Sequence, residues 1–189
     1  MITYNRSAAG GAATAGGMNF QAAVSAIATV HMIRGQSLSW LHGLVDDIPN
    51  VIEAETGGAG DDICLLLKSG DIVEAQVKKG LQSGDKLWDS LIAMAKAVNE
   101  KTINYGVLIV SSTSSNTIKE HLSRDILRLG DGRTDNLSDI ADKLVGKLNA
   151  ENLPVMECCQ HIRIHTINAL SADQSDIRLA RSEFEIPMR

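Results

Sequence analysis

The sequence has few cysteines and no long apolar run, and both features bear on the cellular compartment that we expect for the protein. Its 189 residues include 3 Cys. Their odd number, and the adjacency of Cys158 and Cys159, do not suit a disulfide framework and favour a reducing compartment. No run of about 20 apolar residues occurs, and the first residues lack a basic segment followed by an apolar one. We therefore expect a cytoplasmic location, with neither a membrane span nor a secretory signal.

A positive net charge is also missing. The sequence has 18 Lys and Arg against 23 Asp and Glu, which gives a formal net charge of −5. Proteins that hold DNA unaided usually show a basic face, so strong autonomous DNA affinity is not expected. Several copies brought together would still gain apparent affinity without new contacts. Six basic residues could form a local positive strip or be scattered surface charge: Lys78, Lys79, Lys86, Arg124, Arg128 and Arg133.

Several common catalytic and metal-binding patterns are absent from the sequence. Gly10–Gly11 and Gly16–Gly17 are not followed by Lys-Ser or Lys-Thr, which argues against a nucleotide-binding P-loop. No Ser-His-Asp arrangement is supported by the spacing of the residues. Cys158–Cys159, His161 and His165 invite a zinc interpretation, but residues along one extended strand point apart and do not form a tetrahedral site.

The hydrophobic pattern predicts an α/β fold with a central mixed sheet flanked by helices. A length of 189 residues with 44% hydrophobic residues fits a single domain with a real core. Apolar spacing predicts helices at about 19–34, 86–99, 116–129 and 137–148, and strands at 63–67, 72–78, 107–110 and 161–167. The polar turn 68–71 predicts an antiparallel hairpin, and a right-handed crossover predicts that the next strand is parallel.

Polar residues at the ends of the predicted hairpin are the main candidates for chemistry. Glu74, Gln76 and Lys78 share one face of the second strand because side chains alternate along a strand. Pairing across the turn brings Asp62, which opens the first strand, next to Gln76 and Lys78. Oxygens of Asp62 and Gln76 can bind a hard cation such as Mg²⁺, for which Mn²⁺ can substitute. Lys78 can contact a scissile phosphate and orient the attacking water.

Two further carboxylates precede this hairpin. Glu53 and Glu55 lie on one face of a short strand-like run at 50–55, and we expect one of them to complete the metal shell. The sequence does not choose between them. The alternative is that these polar residues are ordinary solvated surface, because a hairpin with a polar outer face is common.

The arrangement resembles the PD-(D/E)XK nuclease superfamily, in which an Asp opens one strand and an acid-x-Lys triplet lies on the next. Gln76-Val77-Lys78 stands in place of the triplet. Gln in place of the acid also occurs in the Mrr-like restriction branch, and it leaves the metal shell one charge weaker. Glu74, two residues earlier on the same face, could partly compensate. The resemblance implies a restriction-endonuclease-like core.

A wider resemblance covers most of the chain. It rests on residues 16–21 opening a helix, residues 55–63, residues 74–80 and Trp88 on the following helix. The sequence is similar to the N-terminal double-stranded DNA endonuclease domain of bacterial antiphage proteins, found in CBASS effectors and antiviral STAND NTPases. The catalytic positions that it implies are Asp62, Gln76, Lys78 and Glu55. It also implies Gln21 as a supporting residue beside the site.

In those families the module is a toxic effector fused to a C-terminal sensor, and it degrades DNA once the sensor assembles. The implied partners are double-stranded DNA and, through the sensor, further copies of the chain, with no membrane involved. The expected organisation is a flexible Gly/Ala-rich N-terminus at 1–17, a nuclease domain at 18–170 and a C-terminal helix or linker toward the sensor at 171–189.

Two other functions remain open from the sequence. One is a catalytically degenerate nuclease fold that serves as an oligomerisation or DNA-binding module, which the Gln at position 76 and the acidic net charge favour. The other is a restriction-type enzyme that reads a particular sequence or methyl mark.

Overall fold

Among the described residues, five strands form one mixed sheet in the order β1-β2-β3-β4-β5. The computed structural model describes residues 6–54, 58 and 62–168, with side chains from residue 17 onward. The strands are β1 (Pro49–Ala54), β2 (Ile63–Leu67), β3 (Ile72–Lys78), β4 (Tyr105–Ser111) and β5 (Ile162–Ile167). β1, β2 and β3 are antiparallel neighbours, whereas β4 and β5 run parallel to β3. The predicted α/β fold with a central mixed sheet is confirmed.

The hairpin formed by β2 and β3 has the predicted pairing. Leu67 donates its backbone N–H to the carbonyl of Asp71 at 2.9 Å, and Gly70 donates to Leu67 at 3.0 Å. Gly70 has a φ of 95°, a conformation that glycine adopts without steric cost. The tight turn fixes the register in which Ile63 pairs with Ala75. Asp62, one residue before that pair, therefore lies beside the end of β3.

Helices cover both faces of the sheet. They are α1 (Arg6–Ile33), α2 (Asp85–Asn99), α3 (Ser123–Gly130), α4 (Asp139–Ala150) and α5 (Val155–His161), with a 3₁₀ turn at Ser39–Leu41 and a π-helical turn at Thr117–Leu122. The stripe of Phe20, Val24 and Ile27 on α1 is buried against one face of the sheet. The other face packs against α2 and the helices that follow it. No helix in this described part of the chain is long and apolar enough to span a bilayer.

The first helix is longer than its periodicity predicted. The prediction placed its start near residue 19, but α1 begins at Arg6. The segment upstream of residue 19 is rich in alanine, the strongest helix former, which offsets the cost of about 1 kcal/mol for each interior glycine. The helix α1 therefore includes the Ala- and Gly-rich segment from Arg6 onward.

The short helix α5 was not predicted. Pro154 was expected to end the helical region, but Pro154 stands at the N-cap of α5. Proline also suits the start of a helix, where its missing N–H costs nothing. The last strand was expected to begin at His161 and begins at Ile162 instead. The predicted C-terminal segment 171–189 lies outside the described residues.

Candidate active site

An open cleft of about 940 Å³ lies at the end of β3. Its walls come from four parts of the chain: α1, the β2–β3 hairpin, the loop that leads from β3 into α2, and the loop after β4. Gln21, Asp62 and Lys78 all contribute to its lining. Three of the predicted site residues therefore line one cavity.

The central contact is an ion pair between Asp62 and Lys78. The Asp62 Oδ2 atom lies 3.2 Å from the Lys78 Nζ atom, and the two side chains are 17% and 32% exposed. The same Oδ2 atom accepts a hydrogen bond of 2.6 Å from the backbone N–H of Val77. The paired residues of β2 and β3 end at Ile63 and Ala75, so β2 offers no backbone partner for the Val77 N–H. The Asp62 carboxylate supplies the acceptor instead. The end of the β2–β3 pairing thus fixes the Asp62 carboxylate, which in turn pairs with the Lys78 ammonium.

Gln21 supports this pair from the first helix. Its Nε2 atom donates to the backbone carbonyl of Asp62 at 3.4 Å. Because Gln21 follows the fully buried Phe20, its position on α1 is set by the core beneath it. The expectation that Gln21 lies beside the site agrees with this contact.

Gln76 and Glu74 lie deeper along the same face of β3. Gln76 is half-buried, and Glu74 is only 9% exposed. Glu74 packs directly under Gly58, where an added Cβ would lie 2.0 Å from the Glu74 Oε1 atom. Neither residue lines the open cleft formed around Asp62 and Lys78, so the structure does not bring these two predicted site residues into that cleft.

Glu53 on β1 lies in one cross-strand row with Cys64 on β2 and Glu74 on β3, at the end of the row opposite Glu74. Glu53 pairs with Cys64, and Cys64 pairs with Glu74. Burial raises the pKa of the Cys64 thiol, and the charges of Glu74 and Glu53 raise it further. Glu53 is exposed and does not line the cleft. Glu55, the alternative carboxylate, lies outside the described residues.

The six basic residues separate into two groups. Lys78, Lys79 and Lys86 line the cleft. The three arginines instead pair with acids around α3: Arg124 and Arg128 with Asp125, Arg128 also with Asp135, and Arg133 with Asp131. The three lysines of the suggested strip therefore lie together at the cleft, whereas the three arginines are paired with acids around α3.

The end of β4 at Ser111 and the loop after it hold one wall of the cleft, a role that the sequence did not reveal. The Ser111 hydroxyl accepts a 2.9 Å hydrogen bond from the N–H of Gly80, and the Ser114 hydroxyl accepts one of 2.9 Å from Leu81. Ser115 returns its own N–H to the carbonyl of Leu81 at 3.0 Å. The only available signal was the position of this polar loop at the carboxyl end of a parallel strand, where α/β proteins often bind ligands.

The donor chemistry of the site fits Mg²⁺ or Mn²⁺. Both ions prefer oxygen ligands, and Mg²⁺ usually keeps several waters while binding one or two carboxylates. The Asp62 carboxylate and the Gln76 amide are donors of this kind. In the part of the chain that the structure describes, no group of three or more His, Cys, Asp or Glu could hold a metal ion. Of these two donors only Asp62 lines the cleft, so the described residues place one carboxylate of the type that Mg²⁺ accepts there.

The site residues come from elements far apart in sequence, and the sheet register accounts for their meeting. The resemblance to PD-(D/E)XK nucleases rests on Asp62, Gln76 and Lys78 and stays a prediction. Comparisons with protein-family models, curated proteins and solved structures give no match to this chain.

Proposed function

We propose that the chain is a metal-dependent double-stranded DNA endonuclease domain with little sequence specificity. The observation that carries the proposal is the Asp62–Lys78 pair, with Oδ2 and Nζ 3.2 Å apart, in an open cleft of about 940 Å³. Phosphodiester hydrolysis needs a cationic group at the phosphate, oxygen ligands for a hard cation and an oriented water. Lys78 supports the proposal as the cationic group in this cleft, and Asp62 supports it as one oxygen ligand.

Each residue has a distinct role in the proposed reaction. Lys78 donates hydrogen bonds to a nonbridging phosphate oxygen and orients the attacking water. Asp62 and Gln76 would hold Mg²⁺ or Mn²⁺, with Glu55 or Glu53 as a further ligand and Glu74 behind them. When bound, the cation supplies neutralisation of the charge that develops on the phosphate.

The openness of the cleft supports low sequence specificity. Three lysines line it, Lys78, Lys79 and Lys86, and lysines contact phosphates, which carry no direct sequence information. The resemblance to antiphage effectors extends the proposal further. On that basis the chain acts in bacterial antiphage defence, where copies are brought together by a fused C-terminal sensor.

The test is plasmid cleavage by the full chain across a titration of Mg²⁺ and Mn²⁺. Lys78→Ala should lower the cleavage rate by about 10² to 10⁴, the usual contribution of a positioned catalytic group. Lys68→Ala removes an exposed lysine from the opposite end of the same hairpin and should cleave like the parent protein. Equal cleavage by the parent and the Lys78→Ala protein would refute the assignment.

A second candidate is a catalytically degenerate nuclease fold that works as an oligomerisation or DNA-binding module. It is favoured by Gln76 in place of an acid, together with the lack of a three-member ligand group among the described residues. It predicts no cleavage at any metal concentration, with DNA binding or self-association unchanged by Lys78→Ala. Gel shift and sedimentation velocity on both proteins separate the two candidates.

A further inference from the structure

The second wall of the cleft is the segment from Lys79 to Lys86. Lys79 and Lys86 are both exposed and both line the cavity. Within the described part of the chain neither ammonium has a carboxylate within 4.0 Å, whereas Lys78 is paired with Asp62. In a chain with a net charge of −5, these two lysines have no acidic partner among the described residues and line the same cleft.

This wall is held rigidly. The N–H groups of Gly80 and Leu81 are bound by the hydroxyls of Ser111 and Ser114, each at 2.9 Å. The Ser111 hydroxyl is itself 2.8 Å from the Thr113 hydroxyl, and Thr113 also lines the cleft. A loop fixed in this way loses little conformational entropy when a ligand binds, which favours affinity.

The electrostatics of the wall favour an anion. Lys79 and Lys86 contribute two positive charges, and Asp85 removes one of them. The helix α2 begins beside this wall, and its dipole adds a partial positive charge, so the wall keeps a net positive charge. The lysines therefore carry the argument.

We propose that Lys79 and Lys86 bind the DNA backbone at phosphates that flank the scissile one. This inference rests on the proposed endonuclease function and adds to it a binding site whose ligand is the sugar-phosphate chain. In this arrangement Lys78 contacts the reacting phosphate, while the second wall holds the strand on one side of it. Because phosphate contacts fix register without reading bases, these lysines act on binding and positioning.

The experiment measures duplex DNA binding by the full chain in EDTA across a salt titration. The Lys79→Gln/Lys86→Gln double variant should show a slope of log K against log salt that is shallower by about 1.8, or about 0.9 for each lost phosphate contact. Lys68→Gln/Lys143→Gln is the matched control, because it removes the same charge from two exposed lysines that do not line the cleft. The control should keep the parent slope.

Cleavage kinetics supply the second measurement. The Lys79/Lys86 double variant should raise KM for DNA and leave kcat within about twofold, since uniform binding is lost while the reacting groups stay in place. A slope and a KM equal to those of the control would overturn this inference while leaving Lys78-dependent cleavage, and so the proposed function, intact. A parent protein that neither binds nor cleaves DNA would overturn both.

Discussion

Replacing Gln76 by Glu tests whether the face of β3 that carries Gln76 holds a cation. Gln76 lies between Glu74 and Lys78 on the same strand face and beside Asp62 across the hairpin. Residues two apart on a strand are separated by about 7 Å, and cross-strand neighbours by about 5 Å. A carboxylate at position 76 would therefore face two acids and one ammonium.

The stability that Gln76→Glu should lose in the absence of metal follows from these distances. With an effective dielectric constant of about 20, a pair of unit charges 7 Å apart interacts by about 2.4 kcal/mol, and a pair 5 Å apart by about 3.3 kcal/mol. The repulsion from Glu74 and the attraction to Lys78 nearly cancel, and the repulsion from Asp62 remains. Because Asp62 and Gln76 are partly exposed, screening reduces this to about 2 kcal/mol. For a domain of this size the loss lowers Tm by about 4 to 8 °C.

A bound cation should reverse the loss. The added carboxylate is a new ligand, and each tenfold gain in Mg²⁺ affinity adds about 1.4 kcal/mol of stability at saturation. The assay is thermal melting of the parent and the Gln76→Glu protein in EDTA and in Mg²⁺. Gln160→Glu, an exposed change on α5, is the matched control. An Mg²⁺-induced rise in Tm that is the same for all three proteins would refute the metal assignment.

Two further predictions concern the α3 region and use urea unfolding. Asp125 is fully buried, and its carboxylate accepts hydrogen bonds from the Ser138 N–H and hydroxyl at 2.9 and 2.7 Å; Asp125→Ala should cost about 3 kcal/mol. Burial alone would raise the pKa of Asp125, but the hydrogen bonds from Ser138 and Arg124, together with the Arg124 charge, outweigh burial and lower the pKa. This cost should therefore persist above about pH 4 and shrink below it. A constant cost down to pH 2 would contradict this. Gly130→Ala places a Cβ 2.9 Å from the Cys159 carbonyl oxygen and should lower the free energy of unfolding by about 1 to 2 kcal/mol. Gly146 lies in open space on α4, so Gly146→Ala should raise the free energy of unfolding by up to about 1 kcal/mol. Equal effects at the two glycines would contradict the packing argument.

The β2–β3 hairpin and the meeting of Asp62 with Lys78 could be predicted from the sequence. Both follow from period-two alternation and a short turn containing Gly70, which together fix the register. The side chain of Asp62 was expected to face a metal, whereas its Oδ2 atom also closes the ladder through Val77. That contact depends on where β2 ends, and strand boundaries are the least certain part of a sequence prediction.

Contacts that join distant segments could not be predicted. The bonds from Ser111 and Ser114 to the loop after β3 depend on the parallel pairing of β3 with β4, and no local pattern encodes which loop a serine will meet. The helix α5 is only one or two turns long, too short for apolar periodicity to distinguish it from a loop.

The hydroxyl contacts of Ser111 and Ser114 also bear on the order of folding. They join residues 31 and 33 positions apart, across a parallel crossover that includes the whole of α2. Parallel, non-local pairing is among the slower events of folding, because loop-closure entropy is lost before the contacts form. A nascent chain released only as far as Asn99 would contain Asp62 and Lys78 but lack the strand that fixes the second wall. If the domain cuts DNA, its full affinity for DNA should therefore appear only after β4 has docked.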